Sequence, residues 1–363
     1  MKQDRTENET VTENSTDHAH DCCAPADRSA LLTSLRVPLV AVDAAGGTPD
    51  STDGHTVRQA SIPAQTFLMG DGHGDGKWGD GETPVHPVAV TAFDIDTTSV
   101  TNDDFARFID ATGYRTEAET FGYSAVFHLA LEADDADILG QPSRTPWWFG
   151  VRGADWRHPG GPRSSIDGLN DHPVVHVSWN DAHAYCEWAR RALPTEAQWE
   201  AASRGGLGQA RYPWGDDLGA ADGDGRHWRV NIFQGTFPTS NTLDDGFLTT
   251  APVRTYEPNG YGLWQTVGNV WEWCSDVFDV GTYVRDAASG TVSDPAGPSA
   301  GSPDAPRVMR GGSYLCHDSY CNRYRNAARS QNTPDSSMGN AGFRTVSRRA
   351  GTATGPVRTG AGA

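Results

Sequence analysis

The chain is poor in several things, and each shortage excludes something. Across 363 residues there is no run approaching the roughly 20 apolar residues that a bilayer-spanning helix needs. Positive charge is scarce: 29 Lys and Arg stand against 47 Asp and Glu, a formal net charge of −18. Phosphate-rich partners are held by clustered cations, so neither nucleic acid nor an anionic membrane is an expected partner. A cationic or neutral partner is easier to accommodate. The opening residues 1–14, MKQDRTENETVTEN, lack the apolar core of a secretory signal. A cytoplasmic protein is therefore expected. Cysteines are few, six in all. In a reducing compartment they are expected as thiols rather than structural disulfides, unless a metal or chemistry uses them.

What is present points to a globular, loop-rich body. Hydrophobic residues make up 37%, including 12 Trp, 12 Phe and 10 Tyr, enough for a core. The 41 Gly and 22 Pro, with few long apolar runs, predict turns over much of the chain and little regular structure. Residues 1–36 carry Glu, Asp, Asn and Thr with almost nothing large and apolar, and are expected to be a disordered acidic tail. The patch His18–Cys23 (HAHDCC) lies in it and has no second ligand cluster to hold it in shape. Residues 350–363 form a small-residue flexible tail. Between them, 37–349 is predicted to be one irregular α+β domain.

Local signals place its elements. Thr101 and Asp104 have capping spacing, Phe105, Phe108 and Ile109 share one face, and Gly113 stops a helix. Thr195 and Gln198 cap another, with Trp199 on its buried side. A third is expected to start from Asn180 or Asp181, with Ala184, Tyr185 and Trp188 at helical spacing. Strands are predicted over Thr66–Gly70, Val85–Ile95 and Pro173–Trp179.

One stretch concentrates chemistry. In GGSYLCHDSYCNRYR (Gly311–Arg325), Cys316 and Cys321 are separated by four residues. Structural zinc asks for four ligands, and Cys22, Cys23, Cys186 and Cys274 are isolated or in the tail. Three readings stay open on spacing alone. Two thiolates suit a soft, low-coordinate ion such as Cu(I). They also suit a dithiol cycling to a disulfide. Or they are two unrelated core cysteines.

A wider pattern surrounds that stretch. RVMRGGSYLCHDSYCNRYRNAARSQNTPDSSMGNAGFR (Arg307–Arg344) resembles the C-terminal signature of the formylglycine-generating enzymes, the sulfatase-modifying factors. The resemblance continues through YGLWQTVGNVWEW (Tyr261–Trp273), LPTEAQWEAASRGG (Leu193–Gly206), HPVVHVSWNDAHAYCEWA (His172–Ala189) and TPWWFGVRGADWRHPGGP (Thr145–Pro162), covering roughly residues 60–347. It implies a single domain of low secondary-structure content, related to C-type lectin folds. It also implies a copper-dependent oxidase that uses O₂ to turn a cysteine in a C-x-P-x-R segment of an unfolded sulfatase into Cα-formylglycine.

By that resemblance Cys316 and Cys321 hold Cu(I), with the client cysteine adding as a third thiolate. Ser313, His317, Tyr320 and Asn340 line the pocket, and Trp271 packs against the oxygen site. A first calcium ion falls to the side chains of Asn231 and Asp245 with the carbonyls of Ile232 and Phe247, hard oxygen donors. A second maps to Gln265, Gly268, Val270 and Glu272, where Gln265 stands in place of the family's shorter Asn. Where secreted animal members carry disulfides, this chain offers Cys186 opposite Thr345, and Ser203 opposite Asn326, so neither bridge can form. A monomer is expected. The alternatives are a non-catalytic peptide- or carbohydrate-binding module of the same fold, and a thiol oxidoreductase using the Cys316/Cys321 pair. A non-haem-iron sulfoxide synthase lacks its expected His-rich helical bundle here.

Overall fold

The computed structural model describes residues 54–219 and 228–348. The expected tails at 1–36 and 350–363, and the His18–Cys23 patch, lie outside the described residues.

The helices follow their sequence signals. Thr101 and Thr195 each form a capping box, with Asp104 and Gln198, at the starts of Asn102–Thr112 and Glu196–Ser203. Such boxes satisfy two backbone N–H groups that a helix start leaves without partners. Gly113 closes the first helix in the left-handed region at φ +67°. The third helix corrects its expectation. It runs Trp179–Ala189 and is capped by Ser178, not Asn180 or Asp181, because Asp181 is the third residue of a Ser178 capping box. Two short helices, Glu117–Phe121 and Thr282–Ser289, were not foreseen.

The expected strand Thr66–Gly70 is found one residue earlier, as Gln65–Met69, and the strands spread, among the described residues, over five small sheets. The expected strand Val85–Ile95 is two strands in different sheets. His86–Val90 lies between Val292–Ser293 and Gln65–Met69, and Phe93–Asp96 lies between Gln59–Ile62 and Val346–Arg348. Pro173–Trp179 is not a strand. His176 sits at φ +58°, and residues 173–178 are all buried, so their alternation is not an inside/outside pattern. The His176 ring fixes that bend: Nε2 donates to Pro159 O at 2.8 Å and Nδ1 lies 2.7 Å from Ser124 Oγ.

A four-stranded sheet positions the site. Its order is Arg329–Asn332, Arg307–Arg310, Trp271–Val277, Ala341–Gly342. Register places Glu272 opposite Arg310 and Trp271 opposite Ala341. Hence one end of the sheet delivers the Gly311–Gly312 corner, Trp271 and Asn340 to the same place. That end is packed in the largest core cluster, which also contains Cys316 and Cys321.

Candidate active site

The cysteine-bearing segment is wound into a tight turn. Gly311 and Gly312 take φ of +94° and +73°. A Cβ on Gly312 would lie 2.7 Å from Arg323 O and 3.1 Å from Cys316 Sγ, so only glycine fits. The Cys316 N–H donates to Ser313 O at 2.9 Å. The N–H groups of Tyr320, Cys321 and Asn322 converge on His317 O at 3.1, 3.0 and 3.1 Å. This winding buries both cysteines, to 0% and 1% exposure. Ser313 N–H points at Cys316 Sγ, 3.4 Å away, a donor placed to favour a thiolate.

Three further expected residues join them. Asn340 Nδ2 donates to Ser313 Oγ at 2.9 Å, and Trp271 N–H donates to Asn340 O at 2.8 Å. The Trp271 indole N–H is buried and has no hydrogen-bond partner. Tyr320 belongs to an aromatic wall. It stacks on Phe237 with centroids 4.2 Å apart and meets the edge of Trp147 at 5.1 Å. His317 contributes its carbonyl to the turn, while its ring turns to Ser319 Oγ, 2.8 Å from Nδ1, and edges Phe233.

Sequence reasoning missed the support beneath this turn. Arg323 forms a bidentate pair with Asp80, at 2.6 and 2.7 Å, and Arg325 one with Glu82, at 2.8 and 2.9 Å. Arg329 Nη1 reaches the carbonyls of Asp80 and Gly81, and Lys77 Nζ donates to Tyr320 O at 3.0 Å. Residues 77–82 are thereby strapped to the cysteine turn. The signal was available: charged Arg323, Arg325 and Arg329 recur amid apolar and aromatic neighbours, where a buried charge demands a partner.

The first calcium set is brought together. Asp245 accepts from Ile232 N–H at 3.2 Å and Phe247 N–H at 3.0 Å, and burial pushes its carboxyl pKa up. Asn231 Oδ1 is buried without a donor, and the amide of Gln234, a residue not foreseen, contacts both Asp245 Oδ2 and Ile232 O. The Asp245 carboxylate is thus met by N–H donors, while the buried Asn231 Oδ1 is the one oxygen of the set shown without a hydrogen-bond partner. The second set is directed otherwise. Glu272 is spent on a bidentate pair with Arg344, at 2.6 and 2.7 Å, and on Trp199 Nε1 and Ser99 Oγ. Gln265 Nε2 donates to Pro252 O at 2.6 Å. Gly268 packs its Cα against Asn231 O, where a Cβ would come within 2.6 Å, and Val270 is buried in the sheet's approach.

The sites offered for disulfides elsewhere are filled differently. Ser203 Oγ donates to Asn326 Oδ1 at 2.8 Å, while Thr345 Oγ1 donates to Asp96 at 2.7 Å. Cys186 and Cys274 are free buried thiols whose pKa values burial pushes up.

The loop-rich α+β fold is shared with solved structures. PvdO from Pseudomonas aeruginosa superposes with a TM-score of 0.58 at 20% identity, covering 84% of this chain and 100% of that one. The Treponema denticola variable protein 1 gives 0.51 at 18% identity, covering 80% and 95%. At such identities the fold alone is common.

Sequence comparison is more specific. The family model described as "Sulfatase-modifying factor enzyme 1-like domain" matches residues 47–349, and the chain belongs to that family. It is 60% identical over 296 residues to the formylglycine-generating enzyme of Streptomyces coelicolor, covering 82% of this chain and 90% of the relative. The Bos taurus enzyme of the same name is 50% identical over 303 residues, covering 83% and 78%. A second Bos taurus relative, the "Inactive C-alpha-formylglycine-generating enzyme 2", is 40% identical over 299 residues, covering 81% and 89%.

Proposed function

We propose that the protein is a copper-dependent oxidase that uses O₂ to convert the cysteine of a C-x-P-x-R segment, in an unfolded sulfatase, into Cα-formylglycine. Its similarity to formylglycine-generating enzymes makes it an enzyme of cysteine-to-formylglycine conversion, and so of sulfatase activation. A relative named as inactive shares 40% of the sequence, so the finer reading rests on the site. The observation that carries it is the burial of Cys316 and Cys321 on one turn with a backbone N–H aimed at a sulfur.

The residues present fit copper. The donor set is two soft sulfurs, and among the described residues no three His, Cys, Asp or Glu side chains gather as a metal cluster. That suits a monovalent soft ion of low coordination better than tetrahedral zinc. Copper bound there supplies one-electron chemistry toward O₂. The chain does the rest. Cys316 and Cys321 present the sulfurs, Ser313 N–H steadies one of them, and Asn340 fixes the Ser313 hydroxyl. The Trp271 N–H is a donor already desolvated, and Tyr320, Phe237 and Trp147 keep bulk water from the centre. The balance is one thiol and O₂, with two electrons and two protons, giving aldehyde, H₂S and water; a reductant of the thiol class supplies the electrons.

Asn231, Asp245, Ile232 and Phe247 would hold calcium, with Gln234 turning its carbonyl oxygen inward. That loop carries Phe233, whose N–H donates to Cys316 O at 3.0 Å, and Phe237. Adding calcium to chelator-treated protein is expected to stabilise it by about 2–3 kcal/mol at a hundredfold excess over Kd. A midpoint of unfolding indifferent to calcium would remove this assignment. No ion is assigned at Glu272, whose carboxylate already carries Arg344. A cytoplasmic location is part of the reading, supported by the hydrogen-bonded Ser203–Asn326 pair.

The test is incubation of copper-loaded protein with a C-x-P-x-R peptide, a thiol reductant and air, followed by mass spectrometry. Aldehyde is expected, and Cys316→Ser and Cys321→Ser should each lose it by roughly 100-fold or more. Undiminished aldehyde in a copper-chelated sample would remove copper from the reading, and peptide oxidised to disulfide with no aldehyde would favour the thiol oxidoreductase instead.

A further inference from the structure

Trp78 is the most exposed large apolar side chain among the described residues, at 91%. It starts the short 3₁₀ turn Trp78–Asp80. Isolated apolar residues on a surface are ordinary, so its setting decides the matter. The residues on both sides are tied to the cysteine turn. Lys77 Nζ donates to Tyr320 O, next to Cys321, and Asp80, 1% exposed, grips Arg323 two residues beyond it. Arg329 adds bonds to the carbonyls of Asp80 and Gly81. The indole is therefore presented to solvent by a rigid strap. Gly81, three residues on, abuts the backbone of Val280, itself 42% exposed.

Resting on the formylglycine-forming reading above, we infer that Trp78 is a docking residue for the client polypeptide outside the modified motif. It takes an apolar side chain of the unfolded segment flanking the target cysteine. The occupant follows from position and chemistry. An enzyme acting on unfolded chains meets apolar side chains that have no core of their own. A rigid aromatic binds such groups with little loss of its own freedom. The Lys77 bridge ties the segment that carries Trp78 to the Tyr320 carbonyl, one residue from Cys321. The strap thus couples two tasks: it braces the cysteines and holds out a handle for the chain that is threaded past them.

The test compares two substrates: a peptide limited to the C-x-P-x-R motif and a segment of roughly 30 residues with apolar flanks. For Trp78→Ser, KM of the long segment is expected to rise about 10-fold with kcat unchanged, while KM of the short peptide moves less than twofold. Fluorescence anisotropy with a long segment whose cysteine is replaced by serine should show the same weakening without any turnover. Leu207→Ser, at another exposed apolar position, should alter neither. Equal KM for wild type and Trp78→Ser on the long segment overturns the inference. So does an equal loss on both lengths, which would make Trp78 a prop for the turn. Concentration-dependent dimerisation abolished by Trp78→Ser also overturns it, making the occupant a second copy. If wild-type protein yields no aldehyde from either substrate, the functional reading fails instead.

Discussion

Asn340 shows what a single side chain contributes here. Its side-chain amide fixes the Ser313 hydroxyl, while its backbone carbonyl, which any residue would supply, accepts from the Trp271 backbone N–H. Replacing it with Ala is expected to lower the single-turnover rate by roughly 10- to 100-fold, because a small misplacement of reacting groups is costly. Binding of the serine-substituted client should stay near its wild-type value. His176 offers a different test. Burial pulls its ring pKa down to about 4, so the folded protein holds it neutral between Pro159 and Ser124. Unfolded, it titrates near 6.5. Between those values the unfolded chain binds a proton that the folded chain refuses, so stability falls as pH drops from about 6.5 toward 4, by on the order of 3 kcal/mol. Denaturant unfolding at pH 7 and pH 4.5 should show this loss in wild type and a smaller one in His176→Gln; parallel losses would refute it. The spacing of Cys316 and Cys321 drew attention to their segment but left three readings open, and it was the family resemblance that chose among them. The role of Glu272 was not legible, because its partner Arg344 lies 72 residues away and nothing local announces the pair.

At the level of elements, helices were readable from their caps, while of the three expected strands Thr66–Gly70 was found, one residue earlier at Gln65–Met69, and the other two were not as expected. Capping boxes are local, so Thr101 and Thr195 declared their helices; at Ser178 the same logic, applied two residues earlier, would have found the true start. The strand Val85–Ile95 was misjudged because an alternating pattern does not reveal that the chain changes sheets between Val90 and Phe93. The strap over residues 77–82 was half legible: Arg323, Arg325 and Arg329 announced that buried charges need partners, but nothing local named Asp80 and Glu82, 243 residues away from Arg323 and Arg325. Asp80 and Arg323 are each 1% exposed as side chains, and removing one partner leaves a charge stranded without water. Asp80→Asn is expected to cost about 3–5 kcal/mol, read from the denaturant midpoint. Asp80→Leu combined with Arg323→Met should recover much of that loss. A double variant no better than the single would show that the pair acts through something other than its charges.

For the molecule as a whole, composition spoke clearly: glycine and proline predicted a loop-rich body, and the described residues form five small sheets around an aromatic core. The net charge of −18 gives a field that should draw in the arginine of a C-x-P-x-R client. Raising the salt from about 0.1 M to 1 M shrinks the screening length from about 10 to 3 Å. KM should then rise for an Arg-bearing peptide and hold steady for one with Gln in its place; equal behaviour would discard the idea. The long reach of the strap also bears on biosynthesis. Asp80–Arg323 and Glu82–Arg325 each join residues 243 apart. At about 5–20 residues per second, a ribosome takes roughly 12–50 s to make that span. Throughout that wait Asp80 and Glu82 lack their partners Arg323 and Arg325, so the braced cysteine turn is among the last features a newborn chain acquires. A message broken shortly before codon 323 would yield a polypeptide without its keystone, fit for degradation rather than for partial service.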